Sequence, residues 1–189
     1  MAQKRKDWNG LISGFKASDL VFLDESGCNT DMTRQYAYSL GGSRAVDSAP
    51  LSKPKNTTIL PSIQLDGTLR YTTFSGGTTV ERFKRYLETD LLPHLNGNSV
   101  LIMDNMKSHH ARAVRNLLDS SGVRYIYLPP YSPDLNPIEK LWSKVKSFLR
   151  KFKARTLDAL LNAIQCAFQT VSPSDCSGWF HSCGYSPYF

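Results

Sequence analysis

The order of apolar and periodic segments predicts an α/β fold in which helices flank both faces of a mixed sheet. Strand-like segments dominate the first part of the chain, and helix-like and strand-like segments alternate after it. Two short runs, 20–23 and 99–103, are almost wholly apolar, which is typical of strands buried on both faces. Together these patterns favour a sheet covered by helices on both sides.

The chain begins with a polar, basic lead-in over residues 1–19, which contains turn signals at Asn9-Gly10 and Ser13-Gly14. A buried strand over 20–23 follows and ends in Asp24. A second strand is predicted over 34–40. The segment 41–55 is rich in Gly, Ser, Pro and basic residues, so it is predicted to be a long exposed loop with a functional or mobile character.

Residues 56–64 and 69–74 are predicted strands, and Asp66-Gly67 between them is a strong hairpin signal. A helix is predicted over 79–92, because apolar residues recur there at helical spacing and Pro93 ends the pattern. The strand 99–103 then ends in Asp104.

A helix over 109–119, a strand over 123–128 and two helices over 137–152 and 156–171 complete the predicted elements. The last segment, 172–189, has an irregular, aromatic pattern. We therefore divide the chain into a lead-in (1–19), a central domain (20–171) and a C-terminal tail (172–189) that packs on that domain.

The length, charge and cysteine content of the chain limit the functions that it can have. A chain of 189 residues fits one domain. The net charge of +7 favours a polyanionic partner, nucleic acid first, although a merely basic protein would show it too. The four cysteines form no Cys-x-x-Cys pair, so free thiols are favoured over a zinc site. No apolar run of about 20 residues and no secretory signal is present, so we expect a soluble, cytoplasmic protein without membrane contact.

Carboxylates stand at the ends of both apolar strands, at Asp24 and Asp104. If the strands are neighbours, these two side chains meet at one sheet edge, where α/β proteins bind ligands. Taken singly, each is better explained as a turn former or helix cap.

Glu139 has a structural explanation of its own. Asn136 is a suitable N-cap, Pro137 a suitable first helical residue, and Glu139 then falls where it would complete a capping box.

Three carboxylates at one edge of the sheet would instead suit Mg²⁺ or Mn²⁺. Two such ions, ~3.5–4 Å apart, can drive in-line displacement at phosphorus, with Asp24 bridging both and Asp104 and Glu139 each completing one shell.

The stretch from Leu128 to Trp142, Leu-Pro-Pro-Tyr-Ser-Pro-Asp-Leu-Asn-Pro-Ile-Glu-Lys-Leu-Trp, resembles the signature of the mariner-type superfamily of transposases, and its bacterial insertion-sequence branch in particular. Phe22-Leu23-Asp24-Glu25-Ser26-Gly27 resembles the first catalytic strand of that family. Met103-Asp104-Asn105, followed by His109, resembles the second. The 34 residues between Asp104 and Glu139 are typical of this branch, and the segment 178–185 is similar to the family's C-terminal end.

This resemblance implies a ribonuclease H-like fold and cut-and-paste DNA transposition by a metal-dependent endonuclease and strand transferase. Asp24, Asp104 and Glu139 would be its catalytic, metal-binding carboxylates. The partners it implies are transposon ends, a target that is usually TA, and a second copy of the chain on the DNA. Three further positions match the family's motifs: Asn105, His109 and Asn136. They are expected to orient DNA phosphate or the metal ligands. Each can also be explained as an ordinary turn, cap or helix-start residue.

Basic residues near the site are candidates for DNA contact. Arg44, Lys53 and Lys55 lie in the predicted loop, which matches a loop that clamps a partner subunit in relatives. Lys140, Lys144 and Lys146 lie on the helix that follows Glu139. A solvated surface explains either group nearly as well. Glu25 and Asp134 are interpreted as local charges or hydrogen-bond partners, not as ligands.

One feature departs from the family pattern. Full-length relatives carry helix-turn-helix domains before the catalytic domain, and the first 19 residues here have no room for a recognition helix. A split reading frame that supplies this domain is favoured over a truncated relic or an isolated domain. The chain alone is then expected to bind DNA with little sequence preference. Two other functions stay open: a ribonuclease H-like nuclease without strand transfer, and an inactive DNA-binding relic.

Overall fold

The computed structural model describes residues 2–34, 36–48, 50–51 and 54–185. Within these ranges the chain forms six helices and six strands, joined by short 3₁₀ turns. The strands are β1 (Leu20–Leu23), β2 (Ser26–Cys28), β3 (Thr57–Gln64), β4 (Leu69–Ser75), β5 (Val100–Met103) and β6 (Arg124–Tyr127). The helices are α1 (Ala2–Ile12), α2 (Val80–Tyr86), α3 (Arg112–Ser121), α4 (Ile138–Phe152), α5 (Leu157–Gln169) and α6 (Pro173–Ser182).

The six strands form one mixed sheet. Strands β1, β5 and β6 are parallel neighbours, with Leu23 opposite Met103 and Met103 opposite Tyr127. Strand β3 runs antiparallel to β4, and it also pairs with β1 at Ser62–Gln64 and with β2 at Thr57–Ile59. The break between β1 and β2 falls at Asp24 and Glu25, although the Asp24 N–H still donates to the Pro61 carbonyl of β3 at 3.4 Å.

Each face of the sheet buries its own apolar cluster. Because side chains alternate along a strand, Phe22 and Ile102 join the cluster that contains α1, α4, α5 and α6, whereas Leu23 and Met103 join the one that contains α2 and α3. Both strands are therefore buried on both sides, as their unbroken apolar runs predicted. The predicted α/β class with helices on both faces is confirmed.

The β3–β4 hairpin forms at the predicted Asp-Gly turn. Gly67 has a φ of 90°, and the Asp66 carboxylate accepts a hydrogen bond from the Thr68 N–H at 2.8 Å. A Cβ on Gly67 would lie 2.9 Å from the Cα of Pro173, so the turn packs directly against the start of α6.

Several predicted elements are wrong. No strand forms over the described residues of 34–40, which lack a pairing partner. Of the two turn signals in the lead-in, Ser13-Gly14 forms a turn as predicted, whereas Asn9-Gly10 lies inside helix α1, whose Trp8 is buried in the core. The tail is also helical, since Ser172 and Asp175 form a capping box that starts α6. Helix α3 begins at Arg112 and not at residue 109, and the predicted helix 79–92 continues beyond α2 as a π-helical turn over Leu87–Leu91.

All four cysteines are free thiols, as predicted. Cys28, Cys176 and Cys183 are buried, and Cys166 is exposed on α5. None of the helices in the described ranges is long and apolar enough to cross a membrane.

Candidate active site

Asp24 and Asp104 lie side by side because they follow adjacent parallel strands. Asp24 is the first residue after β1 and Asp104 the first after β5, and the last residues of the two strands are paired. The carboxyl ends of parallel strands share one edge of a sheet, which is where α/β folds place their sites. The sequence hypothesis that these two carboxylates would meet is therefore supported by the register.

Glu139 lies in the first turn of α4 and lines the same pocket as the two aspartates. The pocket has a volume of about 430 Å³, and its remaining wall consists of Asn105, Met106 and the proline-rich segment before α4. Asn136 caps the start of α4 as predicted, because its side-chain oxygen accepts a hydrogen bond from the Ile138 N–H at 3.3 Å. The second half of the capping box does not form, since the Asn136 N–H donates to the Pro133 carbonyl at 3.0 Å and not to Glu139.

Asp24 is the most deeply buried of these carboxylates, with 9% of its surface exposed. Burial raises its pKa to about 7, and the negative charges of Asp104, Glu139 and Glu25 add to that shift. The hydrogen bond from the Glu25 N–H at 2.8 Å opposes that rise, and the Asn136 side-chain amide also donates to Asp24 at 3.2 Å. The pocket thus contains a buried acid surrounded by other acids, an arrangement that a cation would stabilise.

Asp104 is anchored by His109. The His109 Nδ1 lies 2.8 Å from Asp104 Oδ1, which also accepts a hydrogen bond from the Met106 N–H at 3.0 Å. Partial burial alone would raise the pKa of Asp104, but the hydrogen bonds from His109 and Met106 outweigh it and lower that pKa. On its other side, His109 Nε2 lies 3.1 Å from Glu25 Oε2. Burial opposes the charged imidazole, yet its two carboxylate partners raise the pKa of His109 to about 9.

The two asparagines support the pocket in different ways. Asn136 is buried and links Asp24 to the start of α4. Asn105 lines the pocket, donates to the Leu128 carbonyl at 2.5 Å, and contacts His110 at 3.3 Å. Both therefore hold neighbouring backbone or side chains in place at the pocket.

The basic candidates differ in their surroundings. Arg44 and Lys55 are exposed, and Lys53 lies outside the described residues. Lys140 lines a groove beside Glu139. Lys144 binds Asp175 at 2.6 Å and the Thr170 carbonyl at 2.8 Å, so its ammonium already joins α4 to the α5–α6 junction. Lys146 lies 5.9 Å from the centre of the Trp142 ring.

The carboxylates share a pocket without forming a closed chelate. In the part of the chain that the structure describes, no group of three or more His, Cys, Asp or Glu side chains is close enough together to hold a metal ion. The oxygen donors are of the kind that Mg²⁺ and Mn²⁺ prefer, and the raised pKa of Asp24 reflects its burial first and the neighbouring negative charges second. The donor chemistry therefore fits a hard divalent cation.

Sequence relatives point to transposable elements. The chain is 29% identical over 97 residues to the Transposable element Tc1 transposase of Caenorhabditis elegans, an alignment that covers 49% of this chain and 36% of the relative. It is 33% identical over 75 residues to the Insertion element IS630 uncharacterized 39 kDa protein of Shigella sonnei, covering 39% of this chain and 22% of the relative. The chain thus matches only about a third or less of the length of these curated relatives.

Solved structures share the fold. The catalytic domain of Mos1 mariner transposase matches with a TM-score of 0.73 at 18% identity, covering 96% of this chain and 86% of that one. A pre-cleavage Mos1 transpososome matches with a TM-score of 0.81 at 20% identity, covering 100% of this chain and 63% of that one. These matches confirm the ribonuclease H-like fold that the resemblance implied.

The model of one family, described as DDE superfamily endonuclease, matches residues 19–161. That span contains all three pocket carboxylates and the whole sheet. The resemblance to mariner-type transposases is confirmed, and the chain belongs to the DDE superfamily endonuclease family.

Proposed function

We propose that this chain is the catalytic part of a DNA transposase that cleaves phosphodiesters and joins the freed ends to target DNA. One observation carries the proposal: Asp24, Asp104 and Glu139 line one pocket at the shared end of two parallel strands, in a chain of the DDE endonuclease family. Residues 20–171 would form the catalytic domain, and 172–189 the tail packed on it.

Asp24, Asp104 and Glu139 would hold the divalent cation, Mg²⁺ or Mn²⁺. Solved structures of the Mos1 catalytic domain with Mg and with Mn support this choice, as does the oxygen-only donor set. When bound, two such ions would activate the attacking oxygen and stabilise the leaving oxygen of an in-line displacement.

The other pocket residues would position rather than react. Asn136 would keep the Asp24 carboxylate in place through its 3.2 Å hydrogen bond, and His109 would do the same for Asp104. Asn105 would hold the Leu128 carbonyl, and with it the start of the loop that forms the pocket wall. Since Asn136 is buried and Asn105 is exposed, Asn105 is the better placed of the two to meet a DNA phosphate.

DNA is the partner that the charge and the relatives support. The net charge is +7, and Mos1 structures include a paired-end complex with the left transposon end. We propose transposon ends and a TA target as substrates, a homodimer on DNA, and a helix-turn-helix domain that reads the transposon ends. Exposed Arg44 and Lys55, and Lys140 beside Glu139, are the proposed phosphate contacts, with Lys53, Lys144 and Lys146 as further candidates. The site of action would be the cytoplasm, at the nucleoid in a bacterial host.

The test is strand transfer of a pre-cleaved transposon end in Mg²⁺ or Mn²⁺. Loss of a residue that only supports a metal ligand typically lowers activity by roughly 10- to 100-fold. We expect a larger loss of activity in each of three variants: Asp24→Asn, Asp104→Asn and Glu139→Gln. Glu88→Gln, which alters an exposed acid outside the pocket, is the control and should keep wild-type activity.

The outcomes separate the candidate functions. Cleavage without joining would favour a nuclease over a transposase. Full activity in all three pocket variants would show that the active site lies elsewhere. Wild-type protein that binds DNA but neither cleaves nor joins it, even when a helix-turn-helix domain is supplied, would favour a DNA-binding relic.

A further inference from the structure

The His109 ring joins the ends of two strands. It is fully buried, stacks on Phe83 with 4.2 Å between ring centres, and places its two nitrogens next to different carboxylates. Asp104 lies beyond the end of β5, and Glu25 lies just past β1. The ring therefore bridges the two places at which the sheet presents its acids to the pocket.

The two carboxylates hold the ring from opposite sides. His109 Nε2 lies 3.1 Å from Glu25 Oε2, and Nδ1 lies 2.8 Å from Asp104 Oδ1. Because the ring is planar and buried, its contact with Glu25 restrains the position of the nitrogen that meets Asp104.

Asp104 is held at both its side chain and its backbone. Oδ1 accepts a hydrogen bond from the Met106 N–H at 3.0 Å and lies 2.8 Å from His109 Nδ1, which is also 3.3 Å from the Asp104 carbonyl oxygen. These contacts restrain the carboxylate at the pocket that Asp104 lines. A ligand carboxylate held this way has less rotational freedom to lose when it binds.

Glu25 contributes to Asp24 as well. Its backbone N–H donates to Asp24 Oδ1 at 2.8 Å, while its side chain, 9% exposed, reaches His109. Its second oxygen, Oε1, is buried with no hydrogen-bond partner among the described residues. Such a group costs stability, so its presence calls for a role. Glu25 does not line the pocket, and it therefore acts through its neighbours.

We propose that Glu25 is a positioning residue that supports both aspartates, Asp24 through its backbone amide and Asp104 through the His109 bridge. This inference rests on the proposed function, because that function makes Asp104 a metal ligand. The side chain is the part that substitution can test. Glu25→Gln keeps an oxygen that can accept from His109, whereas Glu25→Ala removes it.

The first readout needs neither metal nor DNA. In ¹H–¹⁵N NMR spectra of the metal-free protein, Glu25→Ala should lose the hydrogen-bonded His109 Nε2–H signal and shift the Met106 amide, which is bonded to Asp104. Glu25→Gln should retain the Nε2–H signal and shift the Met106 amide less. Glu81→Ala, at an exposed acid on α2, should leave both unchanged. An unshifted Met106 amide in folded Glu25→Ala would overturn the inference.

The second readout consists of two measurements. Mn²⁺ affinity is measured from the electron paramagnetic resonance signal of the unbound ion, and the rate of strand transfer is measured separately. Glu25→Ala should lower Mn²⁺ affinity and strand transfer by about 10- to 100-fold, and Glu25→Gln by less. If Glu25 had a purely structural role, Glu25→Ala would lower the unfolding midpoint, but the folded variant would bind Mn²⁺ with wild-type affinity. That result would contradict the proposal. Wild-type protein that neither binds Mn²⁺ nor joins DNA would refute the proposed function, while the NMR readout would still decide the role of Glu25.

Discussion

Asp24 combines deep burial with three acidic neighbours, and a bound cation should relieve this crowding. A ligand that binds only the native state stabilises it, by about 2.7 kcal/mol at a concentration 100 times its Kd. We therefore expect Mg²⁺ or Mn²⁺ to raise the thermal midpoint of the wild-type protein, and Asp24→Ala to lose most of that rise. Differential scanning fluorimetry with and without EDTA would measure both.

The control for this experiment is Asp158→Ala, which removes an exposed acid from the first turn of α5. It should keep the full metal-dependent rise in midpoint. An equal rise in Asp24→Ala and the wild type would mean that the stabilising ion binds outside the pocket.

At the scale of single residues, the sequence pattern was sufficient to propose Asp24, Asp104 and Glu139, because two apolar runs end in Asp and a long motif surrounds Glu139. It could not assign Glu25, whose partner His109 lies 84 residues away along the chain. Lys144 is a similar case, since its bonds to Thr170 and Asp175 depend on how α4, α5 and α6 pack. Contacts between distant segments leave no local pattern to read.

At the scale of elements, the junction between α5 and α6 depends on Asp175. Its Oδ2 accepts hydrogen bonds from Lys144 Nζ at 2.6 Å and from both the N–H and the Oγ of Ser172 at 2.8 Å. These donors, Lys144 first, lower the pKa of Asp175 to about 2. We expect Asp175→Asn to lower the free energy of unfolding by about 1 kcal/mol near pH 7, the usual size of a lost cap.

The same contact predicts a pH dependence. A carboxylate with a lowered native pKa contributes stability that is complete above its unfolded pKa, 3.8 here, and is lost as the pH falls through about 2. The gap between wild type and Asp175→Asn should therefore narrow below about pH 4, as urea unfolding at several pH values would show. Ser174→Ala, an exposed neighbour on α6, should match wild type throughout. A gap that stays constant with pH would contradict this role.

Elements with a strong local pattern were predictable, and those that depend on tertiary contacts were not. Strands β1 and β5 are uniformly buried runs, and the β3–β4 hairpin has an Asp-Gly turn. Helix α1 is polar except for a few residues such as Trp8, and α6 contains Gly178 and Ser177, so neither shows a clear apolar stripe. Their helical state depends on the core they cover.

At the scale of the whole molecule, the two ends of the described chain meet beside the loop before α4. The Trp8 Nε1–H donates to the Tyr185 hydroxyl at 3.2 Å, and that hydroxyl donates to the Leu135 carbonyl at 2.7 Å. Trp8 is 3% exposed, so Trp8→Ala should lower the free energy of unfolding by about 3–5 kcal/mol. Urea unfolding would measure it.

Two further variants sharpen that test. Trp8→Phe keeps an aromatic ring in the core and should lose much less stability than Trp8→Ala. Lys6→Ala, at an exposed position of α1, should change little. If Trp8→Ala were as stable as Lys6→Ala, helix α1 would not contribute to the fold.

The distribution of cysteines between core and surface has a practical use. Burial raises the pKa of Cys28 and Cys176 to about 11 and also raises that of Cys183, and thiols react as thiolates. Cys166, exposed on α5, is then the thiol that a maleimide reagent should modify at neutral pH. A spin label could therefore be attached to Cys166 without replacing any native cysteine. The distance between the labels of two copies bound to one DNA would then report the spacing of those copies.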